Sequence, residues 1–364
     1  MIPYIALIAI PMIFQHVNLK RTPEGITPRQ QRAETSMALF WMLLFFMLIL
    51  RHETIGRDLF TYKVIFSKIS NSDWKGAVWR SDEIGWNIIN KIISLFSDNF
   101  RMILVISAFL STWHIAKAYI KYSKDTLLSI SIYINVSCFI LLFSGLRQSI
   151  SMSLGFVALE YVKKKKFIPF LLIVALAMSF HISAFMLLFM YPLYHIRVKR
   201  RQLIFVVPVL IVALIFNEPI FTFLGDVLSF FTDYDATIIE TGAYTMLILF
   251  AIMAIFSFVI PDESKLDADT LGMRSFLLFA VALQIFAPLH SLAMRMNYYY
   301  IVFIPLAMSR IIDCHSKSWS KVAMVARHVM VIFFLVYFFV NAPKDNALDT
   351  FPYRFFWEDV FKLK

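Results

Sequence analysis

Long apolar runs separated by short polar segments dominate the chain. Runs of about 15–22 residues are long enough to cross a bilayer as helices, and about twelve of them are present. They lie near residues 2–15, 35–50, 99–117, 126–143, 146–162, 167–180, 182–196, 202–217, 243–260, 273–289, 296–312 and 322–341. The pattern predicts an all-α polytopic membrane protein in which residues 1–364 form a single integral-membrane domain.

The composition agrees with this interpretation. The chain is 60% hydrophobic and only 16% charged, with a mean hydropathy of +0.71. A soluble protein carries about a quarter charged residues. The net charge of +11 is typical of nucleic-acid binding, but the basic residues form short clusters between apolar runs, where membrane anchors belong. Membrane lipid is therefore the expected neighbour, and no nucleic acid is expected.

The basic clusters set the predicted topology. They follow alternate spans, within residues 20–32, 117–124, 163–166 and 197–201. Because cytoplasmic loops are enriched in Lys and Arg, we place these clusters inside and both termini outside. The predicted cytoplasmic segments then hold 20 Lys and Arg against 9 Asp and Glu, whereas the outer segments hold 14 against 15.

Three outer segments are long: the loops 51–98 and 217–242 and the tail 342–364. In the first, Ile84, Ile88, Ile92 and Leu95 recur at helical spacing. This spacing predicts an amphipathic helix on the membrane surface.

Arginines on the predicted outer side are the first candidate site residues, because the topology should deplete them there. They are Arg51, Arg57, Arg101, Arg147, Arg295 and Arg354. Several lie at span ends, and helix ends at one depth can share a cavity. The planar donor fork of arginine suits a phosphate or pyrophosphate. The alternative is that each is an interface anchor or half of an ion pair, such as Arg57 with Asp58.

Histidines and carboxylates on the same side could handle protons. His181 lies in the predicted outer turn between two spans, at the depth expected for Arg147, and His290 precedes Arg295 by five residues. A histidine there could shuttle a proton or donate to a phosphate oxygen. Asp58 and Glu83 could accept a proton from a substrate hydroxyl, or could instead pair with Arg51 or Arg57 and hold the loop. Tyr298 belongs to an aromatic group that could stack on sugar rings. No metal-binding spacing is present, so no metal and no cofactor are expected.

Five short blocks, in this order, resemble the EpsG-like group of Wzy-type bacterial polysaccharide polymerases. They read RHETIGRDLFTY, DEIGWNIINKI, GLRQSISMSLGFVALEYVKKKKF, SFHISAF and MRMNYYYIVFIPL, and extend from about residue 51 to 310. By position, the family's motif residues correspond to the following residues of this chain: Arg51, Gly56, Asp58, Tyr62, Glu83, Arg147, Gln148, His181 and Arg295. Leu59 stands where the family has a small hydroxyl residue.

The resemblance implies a GT-C-like helical bundle in the bacterial inner membrane with its active site facing the periplasm. It implies a glycosyltransferase that joins repeat units carried on undecaprenyl pyrophosphate. We therefore expect Arg147, His181, Asp58 and Arg295 to act in catalysis. We expect the substrate-binding residues to be Arg51, Arg57, Tyr62, Glu83, Gln148, His290 and Tyr298.

The expected mechanism is metal-independent displacement with inversion at the anomeric carbon. A chain-length regulator and a flippase are expected partners. Two other functions stay open: a flippase for lipid-linked oligosaccharides, and an O-antigen ligase. A membrane acyltransferase is a third possibility, but it would favour a cytoplasmic donor site, whereas the candidate groups here face outward. A ligase typically has one very large outer loop, whereas here the outer residues are divided among three segments.

Overall fold

Most apolar runs of the sequence fold into α-helices. The computed structural model describes residues 1–17, 27–229, 243–315, 317, 319–344 and 348–358, with the backbone alone at 227–229, and these residues form no β-strand. The α-helices are α1 Ile2–Phe14, α2 Pro28–Leu50, α3 Leu59–Ser70, α4 Trp74–Val78, α5 Ile84–Ser94, α6 Arg101–Tyr122, α7 Thr126–Tyr133, α8 Ser137–Ser144, α9 Leu146–Lys163, α10 Phe167–Phe180, α11 Met190–Ile196, α12 Leu203–Ile215, α13 Asn217–Ser229, α14 Tyr244–Val259, α15 Ala268–Gln284, α16 Ser291–Ile301, α17 Ile304–Asp313 and α18 Ser320–Asn341. Short 3-10 segments occupy Ile182–Phe189, Arg200–Gln202 and Glu263–Lys265. The all-α prediction is confirmed.

Side-chain caps begin several of these helices. The Thr27 hydroxyl accepts a hydrogen bond from the Gln30 backbone N–H at 3.2 Å, just before Pro28 at the first helical position of α2. Asp125 caps α7 through the Leu128 N–H, and Asp267 caps α15 through the Thr270 N–H. Each carboxylate satisfies a donor that the first helical turn leaves unpaired.

The predicted number of spans is not confirmed. In the described part of the chain, three helices are long and apolar enough to cross a membrane: α2, α6 and α18. Two more spans are obtained if the bent pairs α7–α8 and α12–α13 each count as one. Several other apolar runs form helices of 13 to 16 residues, which reach only about 20–24 Å and are short of the ~30 Å hydrocarbon core. The helices nonetheless support a membrane-embedded protein.

The chain divides into two compact units. The first contains Met1–Phe185 and His328–Lys364, and the second contains Met186–Arg327. The prediction of a single integral-membrane domain stays a prediction.

Helix α9 lies at the centre of the first unit, where it packs against α6, α8 and α10. It is polar for a membrane helix, but Gln148 and the serines at 149, 151 and 153 are buried in the protein. The Ser151 hydroxyl donates to the Ala177 carbonyl of α10 at 2.8 Å. The polar face of α9 therefore packs against other helices of the protein and not against lipid.

The segment 348–358 is fastened to the end of α2. The His52 N–H donates to the Arg354 carbonyl at 2.8 Å, and the Phe356 N–H donates to the Leu50 carbonyl at 2.9 Å. The Tyr353 hydroxyl donates to the Met47 carbonyl at 2.8 Å. These bonds pair backbone and hydroxyl groups that the end of a helix would otherwise leave unpaired.

Contacts within the first unit agree with the predicted alternation of sides. Residues assigned to the cytoplasmic side meet one another: Lys121 and Glu160 form an ion pair of 3.0 Å, and the Thr126 hydroxyl donates to the Ala33 carbonyl. Residues assigned to the outer side also meet, as when Arg101 donates to the Ile49 carbonyl at 2.9 Å. The grouping supports the topology, while the identity of the outer side stays a prediction.

In the second unit, buried arginines join helix ends that were all assigned to the cytoplasm. Arg274 is fully buried and donates to Glu263 at 2.6 Å and to the Val198 carbonyl at 2.5 Å. Arg310 donates to Asp267, the cap of α15, at 2.5 Å. Because a buried charge needs a partner, these pairs tie α11, α14, α15 and α17 together at one level.

The predicted amphipathic helix exists as α5. Its predicted apolar stripe is only partly buried: Ile84 and Ile88 are half-buried, Ile92 is 43% exposed, and Leu95, directly after the helix, is 58% exposed, whereas Trp86 and Asn90 on another face are buried. Helices α3, α4 and α10 cover the buried face. The exposed end of the stripe, Ile92 and Leu95, is free to face lipid. The location of α5 on the membrane surface stays a prediction.

Gly56 cannot be replaced without strain. Its φ is +115°, and an added Cβ would lie 2.0 Å from the Phe143 carbonyl oxygen of α8. Both the backbone conformation and the space require glycine. We expect Gly56→Ala to lower the free energy of unfolding by at least about 1–3 kcal/mol, seen as a lower melting temperature of the detergent-solubilised protein.

Gly76→Ala is the matched control. A Cβ at Gly76 would approach only the tip of the Asp73 side chain, at 2.7 Å, which can move aside. Equal melting temperatures for the Gly56→Ala and Gly76→Ala proteins would contradict the close approach of the loop before α3 to α8.

Candidate active site

One carboxylate joins two candidate residues in the first unit. Glu83 accepts a hydrogen bond from Arg147 Nη1, and its other oxygen lies 2.5 Å from His181 Nδ1. The Glu83 and His181 side chains are only 10% and 12% exposed, and Arg147 keeps 31% of its side-chain surface open. We call Glu83, Arg147 and His181 the central triad.

Three helix ends bring the central triad together. Glu83 precedes α5, Arg147 lies in the first turn of α9, and His181 directly follows α10. Gly85 permits this meeting, since a Cβ there would lie 2.3 Å from the Ser179 hydroxyl oxygen near the end of α10. The prediction that Arg147 and His181 lie at one depth agrees with this geometry.

Tyr62 forms the floor beneath Arg147. The Arg147 Nε–H donates to the Tyr62 hydroxyl at 3.5 Å, and the guanidinium lies 5.4 Å from the centre of the tyrosine ring. The Tyr62 ring in turn packs against Trp86 at 5.2 Å. Burial raises the pKa of Tyr62, so its hydroxyl stays protonated at neutral pH.

Asp58 lies one helical turn before Tyr62. Its carboxylate accepts a hydrogen bond from the Ser144 hydroxyl at 2.9 Å, and its own N–H donates to the same hydroxyl at 3.2 Å. The residue is exposed. Asp58 therefore fastens the start of α3, the helix that carries Tyr62, to the junction of α8 and α9.

Arg51 lies in the interior, with only 1% of the residue exposed. It donates to the Leu142 carbonyl at 3.3 Å and lies 5.5 Å from the Phe143 ring centre. Burial lowers its pKa. In this conformation Arg51 offers no surface to a substrate, and its predicted contact with substrate stays a prediction.

Arg57 is exposed and pairs with Asp349, at 3.8 Å, not with Asp58. At this exposure such a pair contributes little to stability. The alternative of a local Arg57–Asp58 pair is therefore wrong, and so is the alternative that Glu83 pairs with Arg51 or Arg57, because Glu83 pairs with Arg147.

The remaining candidates belong to the second unit, apart from Gln148, which is buried in α9. His290 caps α16 by accepting a hydrogen bond from the Leu292 N–H at 3.0 Å. Arg295 is exposed on that helix, and Tyr298 is 8% exposed. Whether Arg295 and Arg147 act on one substrate stays a prediction.

Metal ligands do not gather in the described parts of the chain, where no three His, Cys, Asp or Glu side chains lie together in a metal-binding arrangement. The side chains of the central triad themselves supply groups for proton transfer and a positive charge. With Nδ1–H donating to Glu83, His181 would present Nε2 as a proton acceptor. Arg147 supplies positive charge and donors.

The sequence identified Glu83 as a candidate residue but did not show that its partners are Arg147 and His181. Its spacing from Arg147, 64 residues, carries no information about contact. The signals present were weak: an acid before an amphipathic helix, followed by Gly85. Only the packing of α5 against α10 brings it to the arginine.

The ion pair at the triad makes a testable prediction about stability. Glu83→Gln and Arg147→Gln should each destabilise the protein, because each leaves a partly buried charge without its partner. The double variant should lose less free energy of unfolding than the two single variants together. The coupling energy in a thermal double-mutant cycle should be about 1–3 kcal/mol. Additive losses would mean that the two side chains do not interact.

Comparison with known proteins identifies the family. No curated protein sequence matches the chain, and no solved structure matches it. The family model of the EpsG family matches residues 35–355, which include all the candidate residues described above. The chain therefore belongs to the EpsG family.

Proposed function

We propose that this protein is a membrane glycosyltransferase that polymerises oligosaccharide repeat units linked to undecaprenyl pyrophosphate. The observation that carries the proposal is the central triad, in which one carboxylate holds an arginine and a histidine at the ends of three helices. Membership of the EpsG family supports polysaccharide synthesis, and the apolar helices support a membrane location.

Arg147 would bind the pyrophosphate of the donor. Glu83 and Tyr62 hold the Arg147 guanidinium in position before substrate arrives. Little reorganisation is therefore needed when negative charge builds on the leaving group. The pyrophosphate would approach over the exposed part of the guanidinium.

His181 would act as the general base. Its imidazole is oriented by Glu83, as a carboxylate orients the histidine of a hydrolase triad. The acceptor hydroxyl gives its proton to Nε2, and its oxygen bonds to the anomeric carbon of the donor. The bond from that carbon to the pyrophosphate oxygen breaks, undecaprenyl pyrophosphate leaves with the electron pair, and the configuration inverts.

Asp58 is the second candidate for contact with the acceptor. It is exposed at the start of α3, and a carboxylate can accept a hydrogen bond from a sugar hydroxyl. Arg295, which is exposed on α16, would supply a second cationic surface near His290 at the start of that helix, whereas contact of the buried Tyr298 with a sugar would require its ring to be uncovered. The active site would face the periplasm from the inner membrane, with a chain-length regulator and a flippase as partners.

Replacing Arg147 tests the proposal. In a deletion strain complemented with Arg147→Ala, we expect the surface-glycan ladder to collapse to a single-unit band, because the leaving group loses its counter-charge. Loss of one such donor typically costs about 10²–10³ in rate. Arg80→Ala, which removes an exposed arginine from the predicted outer loop 51–98, should leave the ladder intact.

The same gel separates the rival functions. Single units would vanish as well if the protein were a flippase, since none would reach the outer side. Polymer that forms but is not attached to its final acceptor would indicate a ligase. An unchanged ladder at a normal level of Arg147→Ala in the membrane would contradict the proposed site.

His181→Asn tests the base. Asparagine can still donate to Glu83 from the position of Nδ1 but has no group to replace Nε2. We expect polymerisation to fall about 10²–10⁴-fold while the melting temperature stays close to wild type. Full activity in this variant would show that His181 does not take the proton.

A further inference from the structure

A cavity of the first unit lies along α3, the helix that carries Tyr62, and is not used by the mechanism above. Its volume is about 520 Å³, within the range of small-ligand sites. It is formed by α3, the start of α6 and the loop before α6. The lining residues are Glu53, Lys63, Phe66, Ser67, Ser70, Asn71, Asp98, Asn99, Phe100, Arg101 and Leu104. We call it the α3–α6 cleft.

The α3–α6 cleft has an apolar floor and a polar rim. Phe66, Phe100 and Leu104 are buried at its base, and the two phenyl rings lie 6.3 Å apart. Ser67 and Asn71 are exposed at its edge. Such a lining suits a ligand with an apolar face and many hydroxyl groups, because the face packs on the floor and the hydroxyls find donors and acceptors.

The charges of the cleft balance. Lys63 pairs with Glu53 at 2.7 Å, and the Arg101 guanidinium lies 3.8 Å from the centre of the Phe356 ring and donates to the Ile49 carbonyl. With Asp98, the lining holds two acidic and two basic side chains and so no net formal charge, which favours an uncharged ligand segment over a phosphate. This separates the cleft chemically from Arg147.

Helix α3 contributes residues to the surroundings of the central triad and to the α3–α6 cleft. Tyr62 faces Arg147, and Phe66, one turn later, forms part of the floor of the cleft. Four residues of helix correspond to about 6 Å along the axis. Tyr62, Phe66, Phe100 and Leu104 also share one buried cluster. The cleft and the central triad therefore lie about one helical turn apart along α3, a separation that an oligosaccharide passing over the surface can span.

We propose that the α3–α6 cleft binds a saccharide segment of the growing glycan, away from the reacting bond. The proposal deepens the proposed function and rests on it for the identity of the ligand. A polymerase that holds its product can add the next unit before the product leaves. The cleft would therefore control how many units are added in one encounter, not whether a bond forms.

The first test fills the cleft. Ser67→Leu with Ser70→Leu places two apolar side chains in the lining and removes two hydroxyls, whereas Ser67→Ala with Ser70→Ala removes the hydroxyls alone. In the complemented deletion strain we expect the leucine pair to shorten the ladder severalfold without abolishing the first additions. The alanine pair should have a smaller effect. Asp98→Ala, at an exposed loop position, is the variant to use if the leucine pair is not folded.

The second test measures binding directly. The probe is the single-repeat oligosaccharide released from the deletion strain, titrated into the purified full-length protein. We expect the leucine pair to weaken binding about tenfold, corresponding to about 1.4 kcal/mol. Arg80→Ala, which removes an exposed arginine outside the lining of the cleft, should leave binding of the probe unchanged.

The two proposals fail in different ways. A wild-type ladder and wild-type binding for both the leucine pair and Asp98→Ala would overturn the cleft while leaving the polymerase intact. An unchanged ladder in Arg147→Ala would overturn the polymerase site. If the ladder of Arg147→Ala is unchanged but the leucine pair loses probe binding, the saccharide cleft is still supported.

Discussion

A guanidinium with only 31% of its side-chain surface exposed needs a fixed counter-charge, and Glu83 supplies it for Arg147. The same carboxylate holds His181, so one acid sets both the charge and the proton-handling group of the site. Removing a partner from such a pair leaves a charge without compensation in a poorly solvated place. The arrangement of α5, α9 and α10 therefore depends on this interaction as much as the chemistry does.

The rest of the first unit keeps these helix ends at one level. Gly56 lets the loop before α3 approach the carbonyl of Phe143, and Ser144 holds Asp58 at the following turn. The segment 348–358 covers the end of α2, where Arg51 is buried. Arg51 thus stabilises the contact between α2 and α8, while the Arg147 side chain remains partly exposed and accessible to a ligand.

The helices and their grouping by side could be predicted from the sequence, because both follow from local composition. Apolar runs form helices in a membrane, and the positive-inside bias needs only the position of each charge. The depth of Arg147 and His181 followed from the same reasoning. The breaks after Tyr133 and after Ile215 could not be located, because they depend on packing between segments.

Side-chain partners were the least predictable part. Glu83 meets Arg147 only because α5 folds back against α10, and Arg51 is buried only because the tail docks on α2. Neither long-range contact leaves a spacing that one sequence can reveal. Helix α5 shows the same limit, since the pattern predicted the helix but not that protein neighbours would cover Trp86 and Asn90 more completely than the isoleucine stripe.

The most direct measurement of the central claim is a reconstituted assay. The purified protein is placed in lipid vesicles with undecaprenyl-pyrophosphate-linked repeat units, and both polymer and released undecaprenyl pyrophosphate are quantified. The account predicts that the two products appear together, one lipid pyrophosphate per bond formed, and that Arg147→Ala abolishes both. Transfer of intact units across the vesicle membrane without either product, or full polymerisation by Arg147→Ala, would contradict it.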